Sequence, residues 1–193
     1  MSFIPDFADP EQILIPEGER TSNSTRVMQP LLEGSSYFLR RGGRYSRVLF
    51  RITAQAGGPT VKLLFYQRII NRMVGGVMGN AVSLIASVSA FPIGAVSNFI
   101  AKFAQGSVDF YPGIVFVLFG RDSAGGTATI RTQVTTNVDL FNSNNDLNTH
   151  PCTFTTALAS NAANPATIDP RLSPTGQLIQ SPLDLGAVLR LLA

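Results

Sequence analysis

One pair of residues in this 193-residue chain has the types and spacing of a nucleophile and its base. His150 and Cys152 lie two positions apart in the segment NTHPCTF, and an imidazole beside a thiol can activate a cysteine nucleophile. These are the only histidine and the only cysteine of the chain, and the segment offers no third group to orient the base. We therefore interpret NTHPCTF as a loop and predict that the chain is not an enzyme.

The segment DLFNSNNDLNTH at 139–150 carries side-chain oxygens at alternating positions, as calcium loops do. It lacks the central glycine of such loops, and its twelfth residue is His150 where a bidentate glutamate belongs. We interpret its polar residues as turn formers, with a weak cation or glycan contact as the alternative. The glycine pairs of the chain precede strand-like sequence, not the start of a phosphate-binding helix. We expect neither a cofactor nor a metal.

The strongest chemical signal is a basic segment that contains no acid. Residues 40–72 carry eight basic and no acidic residues, whereas residues 1–39 carry two basic and six acidic ones. Three interpretations are open for the arginines of residues 40–51: a solvated strand face, a nucleic-acid site or an intersubunit surface. We favour the intersubunit surface because arginine pairs bidentately with carboxylates, and lysine does not. An acidic segment of one subunit would then lie on the basic face of the next.

The predicted intersubunit surface joins these arginines, the acids of the first segment and an apolar stripe near the end of the chain. Its residues are Arg40, Arg41, Arg44, Arg47, Arg51, Asp6, Asp9, Glu11, Glu17, Glu19, Leu185, Val188, Leu189 and Leu192. Nucleic acid is not the expected partner, because lysine is nearly absent and the net charge is only +3.

The elements that must position these residues are β-strands. In the segment 45–54, Val48, Phe50 and Ile52 alternate with Arg47, Leu49, Arg51 and Thr53, so the two sets occupy opposite faces. Further strands are predicted near 36–41 and over 60–68, 81–90, 97–105, 113–121 and 126–136. IVFVLF is apolar on both faces, which indicates a central strand, whereas TATIRTQVT should have one solvated face.

Glycine-rich turns separate these strands. AGGP and DSAGG have the length of hairpin loops. Seven or eight strands without a helix among them predict an all-β fold, a jelly-roll-like β-sandwich. The uncharged stretch 73–101 is long enough to span a membrane, but Ser83, Ser87 and Ser89 alternate with apolar residues there, which favours a strand. We expect no contact with a membrane.

Proline and charge divide the chain into an arm, a body and an arm. Nine of the twelve prolines lie in the first 35 or the last 43 residues, and proline is excluded from strand interiors. We predict an extended arm at 1–35, a β-sandwich body at 36–138 and a Pro/Asn-rich arm at 139–193. The second arm should end in a short amphipathic helix, with Ser181 as its N-cap, Pro182 in its first turn and Asp184 near its N-terminus.

This layout, with its arginine-dominated basicity and no catalytic set, resembles small virion proteins of tailed bacteriophages. It is most similar to capsid decoration, or cement, proteins. The resemblance implies a structural protein, a homo-oligomer and commonly a trimer, that binds the major capsid protein or other virion proteins. The start MSFIPDFADPEQ is acidic and unlike a signal peptide, so we expect synthesis in the host cytoplasm and a place in the virion.

A second resemblance leads to a different function. The segments YFLRRGGRYSRVLFRITAQAGGPTVKLLFYQR and DFYPGIVFVLFGRDSAGGTATI look like carbohydrate-binding sandwiches of phage tail fibres. The alternative is therefore a tail-fibre, baseplate or receptor-binding module. Exposed aromatic side chains that converge on a cleft, from Tyr111, Phe141 and Phe154, would favour this alternative.

Overall fold

The computed structural model describes residues 11–14, 20–39, 41–67, 73–74, 77–78, 82–122, 125–135, 153–168 and 184–193, and every regular element in these ranges is a β-strand. The strands are β1 (Glu11–Leu14), β2 (Arg20–Val27), β3 (Leu31–Leu39), β4 (Gly43–Tyr45), β5 (Arg47–Ala56), β6 (Thr60–Gln67), β7 (Met73–Val74), β8 (Val77–Met78), β9 (Val82–Pro92), β10 (Asn98–Lys102), β11 (Val108–Phe110), β12 (Gly113–Arg121), β13 (Thr127–Thr135), β14 (Thr153–Ala159), β15 (Thr167–Ile168), β16 (Asp184–Ala187) and β17 (Leu189–Leu192). Within these ranges, no helix long and apolar enough to cross a membrane is found.

Two large antiparallel sheets contain most of these strands. A six-stranded sheet has the order β14-β3-β12-β6-β9-β15. A seven-stranded sheet has the path β1-β17-β5-β13-β16, to which β10 adds beside β5 and β2 beside β13. Two short pairs, β4 with β11 and β7 with β8, complete the set. The all-β prediction is confirmed. It missed the strands of two or three residues, which are too short to show periodicity, and also β2 and β14, which lie in the segments predicted as arms.

The main core lies between the two large sheets. Val48, Phe50 and Ile52 of β5 are fully buried there, while Arg47 and Arg51 are exposed, so the predicted alternation is confirmed. Burial of alternate residues from both sheets in one apolar cluster makes the body a β-sandwich. Aromatic rings contribute edge-to-face contacts in this core, as between Phe65 and Phe103 at 5.3 Å.

The outer face of the six-stranded sheet is also covered. Leu64, Tyr66, Phe116 and Leu118 form a second buried cluster on that face. The chain at 160–168 crosses it: the Tyr66 hydroxyl donates to the Pro165 carbonyl oxygen at 2.9 Å, and Ile168 packs against the cluster. The prediction that IVFVLF is a central strand buried on both faces is therefore confirmed.

The two glycine-rich turns are not hairpin loops, which corrects the sequence prediction. AGGP joins β5 to β6, and the loop that ends in Gly126 joins β12 to β13, yet each pair has one strand in either large sheet. Both turns thus cross between sheets. They approach each other closely, because a Cβ atom on Gly57 would lie 2.9 Å from the Cα atom of Gly126. Loop length alone does not distinguish a hairpin from such a crossing.

The predicted C-terminal helix is wrong. Residues 184–187 and 189–192 are the strands β16 and β17, which pair with β13 and β5 respectively. They occupy the gap that opens where β13 leaves β5, and the Val188 amide donates to the Arg131 carbonyl oxygen at 3.1 Å. An isolated helix of this length is marginal in water, whereas these strand edges offer a complete set of hydrogen-bond partners.

The first segment likewise contributes strands to the body, so the predicted boundary at residue 35 does not separate an arm from a body. β2 pairs with β13 along Thr129–Thr135, and β1 pairs with β17. Both strands lie at the edge of the seven-stranded sheet of the same chain. The sequence there has too few periodic apolar positions to reveal a strand that pairs with a distant partner.

Candidate functional site

The outer face of the seven-stranded sheet carries a cluster of basic side chains, here called the basic face. Directly opposite residues of antiparallel strands share a face. In the register of β10 with β5, Lys102 lies opposite Arg47, and in that of β17 with β5, Arg190 lies opposite Leu49. The members of the basic face are Arg47, Arg51, Lys102, Arg131 and Arg190.

No acidic side chain that the structure describes lies on the basic face. Three carboxylates are described, and each is bound to a cation elsewhere. Glu33 forms a bidentate pair with Arg26 at 2.5 and 2.6 Å. Asp109 lies 3.9 Å from Arg44, and Asp122 lies 3.5 Å from Lys62. The charge of the basic face is therefore not balanced by these carboxylates.

The cations of the basic face differ in how the chain holds them. The Arg47 guanidinium donates to the Ala193 main-chain oxygen at 2.6 Å, and that of Arg131 donates to the Asn23 side-chain oxygen at 2.8 Å. Arg51 and Lys102 are exposed and form no hydrogen bond or ion pair within the described part of the chain. Their donors are thus available to another molecule.

A shallow, open depression of about 480 Å³ lies beside Arg51, here called the arginine depression. It lies where β13 leaves β5, at a register shift between Thr129 and Ile130. Strands β2, β5 and β13 form its walls. Its lining residues are Asn23, Ser24, Thr25, Arg51, Thr53 and Arg131. Two guanidinium groups, hydroxyls and one amide make this surface rich in hydrogen-bond donors.

An aliphatic row divides the cations of the basic face. Ile100 on β10 lies opposite Leu49 on β5, between the row of Arg47 with Lys102 and the row of Arg51 with Asn98. Ile100 is 52% exposed although it is large and apolar. A surface that mixes arginine with exposed aliphatic side chains resembles protein interfaces in composition.

The structure places the predicted arginines in two separate regions. Arg47 and Arg51 belong to the basic face, whereas Arg44 lies on β4, which pairs with β11. Arg41 is exposed in the turn before β4. Arg40 lies outside the described residues. Of the described arginines of residues 40–51, only Arg47 and Arg51 therefore lie on the basic face, and the intersubunit contact stays a prediction.

The predicted acidic partners fall mostly outside the described residues, as Asp6, Asp9, Glu17 and Glu19 do. Glu11 begins β1, opposite Leu192 on β17, and β17 lies beside Arg47 and Leu49 on β5. The backbone of residues 11–14, the described part of the acidic segment, thus belongs to the sheet that bears the basic face, in the same chain.

Two members of the predicted apolar C-terminal stripe, Leu189 and Leu192, are buried within the chain and are not exposed to a second subunit. For Leu185 and Val188 the intersubunit contact stays a prediction. Leu189 is buried in the main core of its own chain, and Leu192 is buried as well. Val188 is half-buried between the two strands. Leu185 lies opposite Val134 in the register of β16 with β13. Helical spacing grouped these residues on one side, but the strand period separates them.

Sequence reasoning missed Lys102, Arg131, Arg190 and the residues of β2 in this site. They lie far from Arg51 along the chain, and only strand pairing brings them beside β5. A signal was available in part, because the alternation in SNFIAKFAQ and TATIRTQVT places Lys102 and Arg131 on the faces opposite Ala101 and Ile130, which are buried.

Buried polar groups elsewhere have structural partners. The Lys62 ammonium donates to the Ala162 carbonyl oxygen at 2.8 Å and lies 3.5 Å from Asp122. The Asp122 carboxylate accepts the amide of Ala90, a non-glycine residue at φ 51°, at 2.7 Å. Burial raises the pKa of the Tyr66 hydroxyl above its ordinary value. None of these groups forms part of the basic face.

The remaining candidates from the sequence gain no support. His150, Cys152 and the oxygen-rich segment at 139–150 lie outside the described residues, within which no cluster of three or more potential metal ligands occurs. Tyr111 is 56% exposed, Phe141 lies outside the description, and only the backbone of Phe154 is described. No protein-family model matches the chain, and no curated protein sequence matches it either.

Proposed function

We propose that this chain is a structural virion protein, a capsid decoration or cement protein of a bacteriophage that works as a homo-oligomer, with a trimer favoured. The observation that carries the proposal is the basic face, on which no described side chain is acidic. A rigid β-sandwich supplies the body, and the basic face supplies the contact with neighbouring subunits or the capsid. The proposed role is not enzymatic, and the proposed location is the virion.

The composition of the basic face supports a protein partner. Four of its five cations are arginines, and arginine is the basic residue enriched at protein interfaces. The exposed aliphatic Ile100 between the cation rows gives an area that gains from dehydration. Phosphate contacts do not require an exposed aliphatic row, and lysine as well as arginine serves them. The expected partner is therefore an acidic protein surface.

The distribution of acids supports a partner from the same kind of chain. All three described carboxylates already have cations of their own. Of the other nine acids, five lie within residues 1–19: Asp6, Asp9, Glu11, Glu17 and Glu19. This segment is the densest source of negative charge in the sequence, and its presence in every subunit suits a repeating assembly.

The test is the molar mass of the full chain in solution, from light scattering behind a sizing column at about 0.05 M and about 0.5 M NaCl. We expect an oligomer at low salt that dissociates at high salt, because exposed ion pairs are screened. The full chain is required, since β1, β2, β16 and β17 belong to the seven-stranded sheet. Binding to purified capsid shells, followed by electron microscopy, then tests the decoration role. A monomer that ignores shells in both buffers contradicts the proposal.

A second candidate is the tail-fibre or receptor-binding module, which the exposed ring of Tyr111 favours. Its backbone is fixed by Gln67, whose side-chain oxygen accepts the Tyr111 amide at 2.9 Å. A braced and exposed aromatic ring is suited to stacking on a sugar. A glycan array probed with the full chain and with Tyr111→Ala tests this function. Tyr111-dependent binding to a glycan would favour it over the structural proposal.

A further inference from the structure

We propose that the arginine depression binds a carboxylate from residues 1–19 of a second copy of this chain. This inference rests on the proposed function, since it names the partner for part of the basic face. The site consists of Arg51 and Arg131 with the hydroxyl and amide groups of the lining strands.

The two arginines are suited to different parts of this task. Arg131 is partly engaged, because its guanidinium donates to the Asn23 side-chain oxygen at 2.8 Å. Arg51 has no hydrogen bond or ion pair within the described part of the chain, so its planar fork is free to bind a carboxylate with two parallel hydrogen bonds. Two guanidinium groups that line the same depression form a receptor for a single anionic group.

The walls of the depression complete the donor set. Thr25 lies opposite Arg131 in the register of β2 with β13 and brings a hydroxyl group to the lining. The Thr53 hydroxyl donates to the Thr129 carbonyl oxygen at 3.2 Å and therefore serves an arriving group only as an acceptor or after rotating. No carboxylate that the structure describes reaches the depression, because Glu33, Asp109 and Asp122 pair elsewhere. The proposed source of the negative charge is therefore the acidic segment 1–19 of a second copy.

The shape of the site favours a side chain over a free metabolite. The depression is open and shallow, so it covers one face of a bound group and leaves the other toward solvent. A ligand held in this way needs further contacts, which an extended acidic segment finds along the cations and the aliphatic row of the basic face. A peptide strand with spaced carboxylates fits this surface.

A peptide titration tests the site directly. The probe is a fluorescent synthetic peptide with the sequence of residues 1–19, titrated with the full-length protein at low salt. Arg51→Gln removes the free guanidinium without breaking any described bond of the chain. Arg44→Gln is the matched control, because Arg44 is an exposed arginine on β4, away from the depression. We expect Arg51→Gln to weaken peptide binding about tenfold or more and Arg44→Gln to change it less than about twofold.

Two further probes identify the chemistry. A peptide in which the five acids are replaced by amides should bind at least about tenfold more weakly than the acidic one. The binding of a single-stranded oligonucleotide of similar length should not depend on Arg51. Equal binding of both peptides, equal losses in the two arginine variants, or Arg51-dependent binding of the oligonucleotide alone would each overturn the inference.

A mixing experiment separates contacts between copies from contacts within one chain. One variant carries Arg51→Gln with Arg131→Gln, and the other carries amides at the five acids of residues 1–19. Each alone should lose self-association, and their mixture should recover a complex, because one supplies the segment and the other the site. Wild-type association that survives in both variants overturns the inference and leaves the proposed function intact. A monomeric wild type that still binds the peptide through Arg51 contradicts the self-assembling form of the proposed function alone.

Discussion

The C-terminal strand β17 provides the sharpest test of the architecture, through the substitution Leu191→Ala. Leu191 is 0% exposed, belongs to the main core and lies opposite Val48 in the register of β17 with β5. A leucine truncated in a packed core costs its transfer free energy and leaves a cavity, so we expect a loss of about 3 kcal/mol in the free energy of unfolding. In a chain of this size, that loss lowers the melting temperature by about 6 to 12 °C.

The assay is urea denaturation followed by circular dichroism, with scanning calorimetry as a second measurement. Leu31→Ala is the matched control, because Leu31 is 43% exposed and its truncation should change stability by about 0.5 kcal/mol or less. The midpoint should fall for Leu191→Ala while the slope of the transition stays constant. Equal midpoints for the two variants would show that the last strand does not belong to the core and would refute the assignment of β17.

Three further predictions concern polar and turn residues. Burial raises the pKa of the Tyr66 hydroxyl, so above a pH of about 10 the unfolded chain loses the hydroxyl proton before the folded chain does. The free energy of unfolding then falls by up to about 1.4 kcal/mol per pH unit. Urea midpoints measured across this pH range should decline less steeply in Tyr66→Phe. Arg26→Gln removes two charge-assisted hydrogen bonds from the Glu33 carboxylate, which is 4% exposed, and should lower the free energy of unfolding by about 2 to 3 kcal/mol. In a double-mutant cycle, adding Glu33→Gln should recover part of this loss. Strict additivity of the two single losses would argue against the ion pair. Gly126→Ala should destabilise the fold by more than about 1 kcal/mol, because φ is +75° and the new Cβ would lie 2.6 Å from the Ala56 carbonyl oxygen. Gly94→Ala is the control, because there is open space around Gly94. Equal calorimetric melting temperatures for the two variants would contradict the turn geometry.

The sequence predicts what depends on local alternation. Val48, Phe50 and Ile52 point into the core and Arg47 and Arg51 point out, because a strand has a strict period of two. The strand β12, which is buried on both faces, is equally well predicted by the apolar run IVFVLF. In these segments the residue pattern is sufficient to predict which side chains are buried, since the side of the strand that faces the core follows from hydrophobicity alone.

Pairing partners could not be predicted in the same way. The tip of AGGP contains two glycines at positive φ, which fits a crossing between sheets as well as a hairpin. In LGAVLRLLA, leucine recurs at spacings that suit either a helix or a strand, and the free edges of β5 and β13 decide in favour of strands. The arginine depression was invisible for the same reason, because β2 and β13 meet β5 only through tertiary pairing.

The basic face contains a pair of like charges that repel each other. Arg47 lies directly opposite Lys102, and like charges in that position destabilise an isolated sheet. Substitution of Lys102 by a neutral residue would relieve the repulsion without affecting the core, because its side chain is exposed and has no described partner. An acid in place of Lys102 would pair with Arg47 and stabilise the isolated sheet. A carboxylate placed between the two side chains is attracted by both cations and offsets their repulsion. The arrangement therefore favours a protein with such a carboxylate bound over the isolated protein. A carboxylate of the partner proposed above would remove the repulsion between Arg47 and Lys102, which no described acidic side chain offsets.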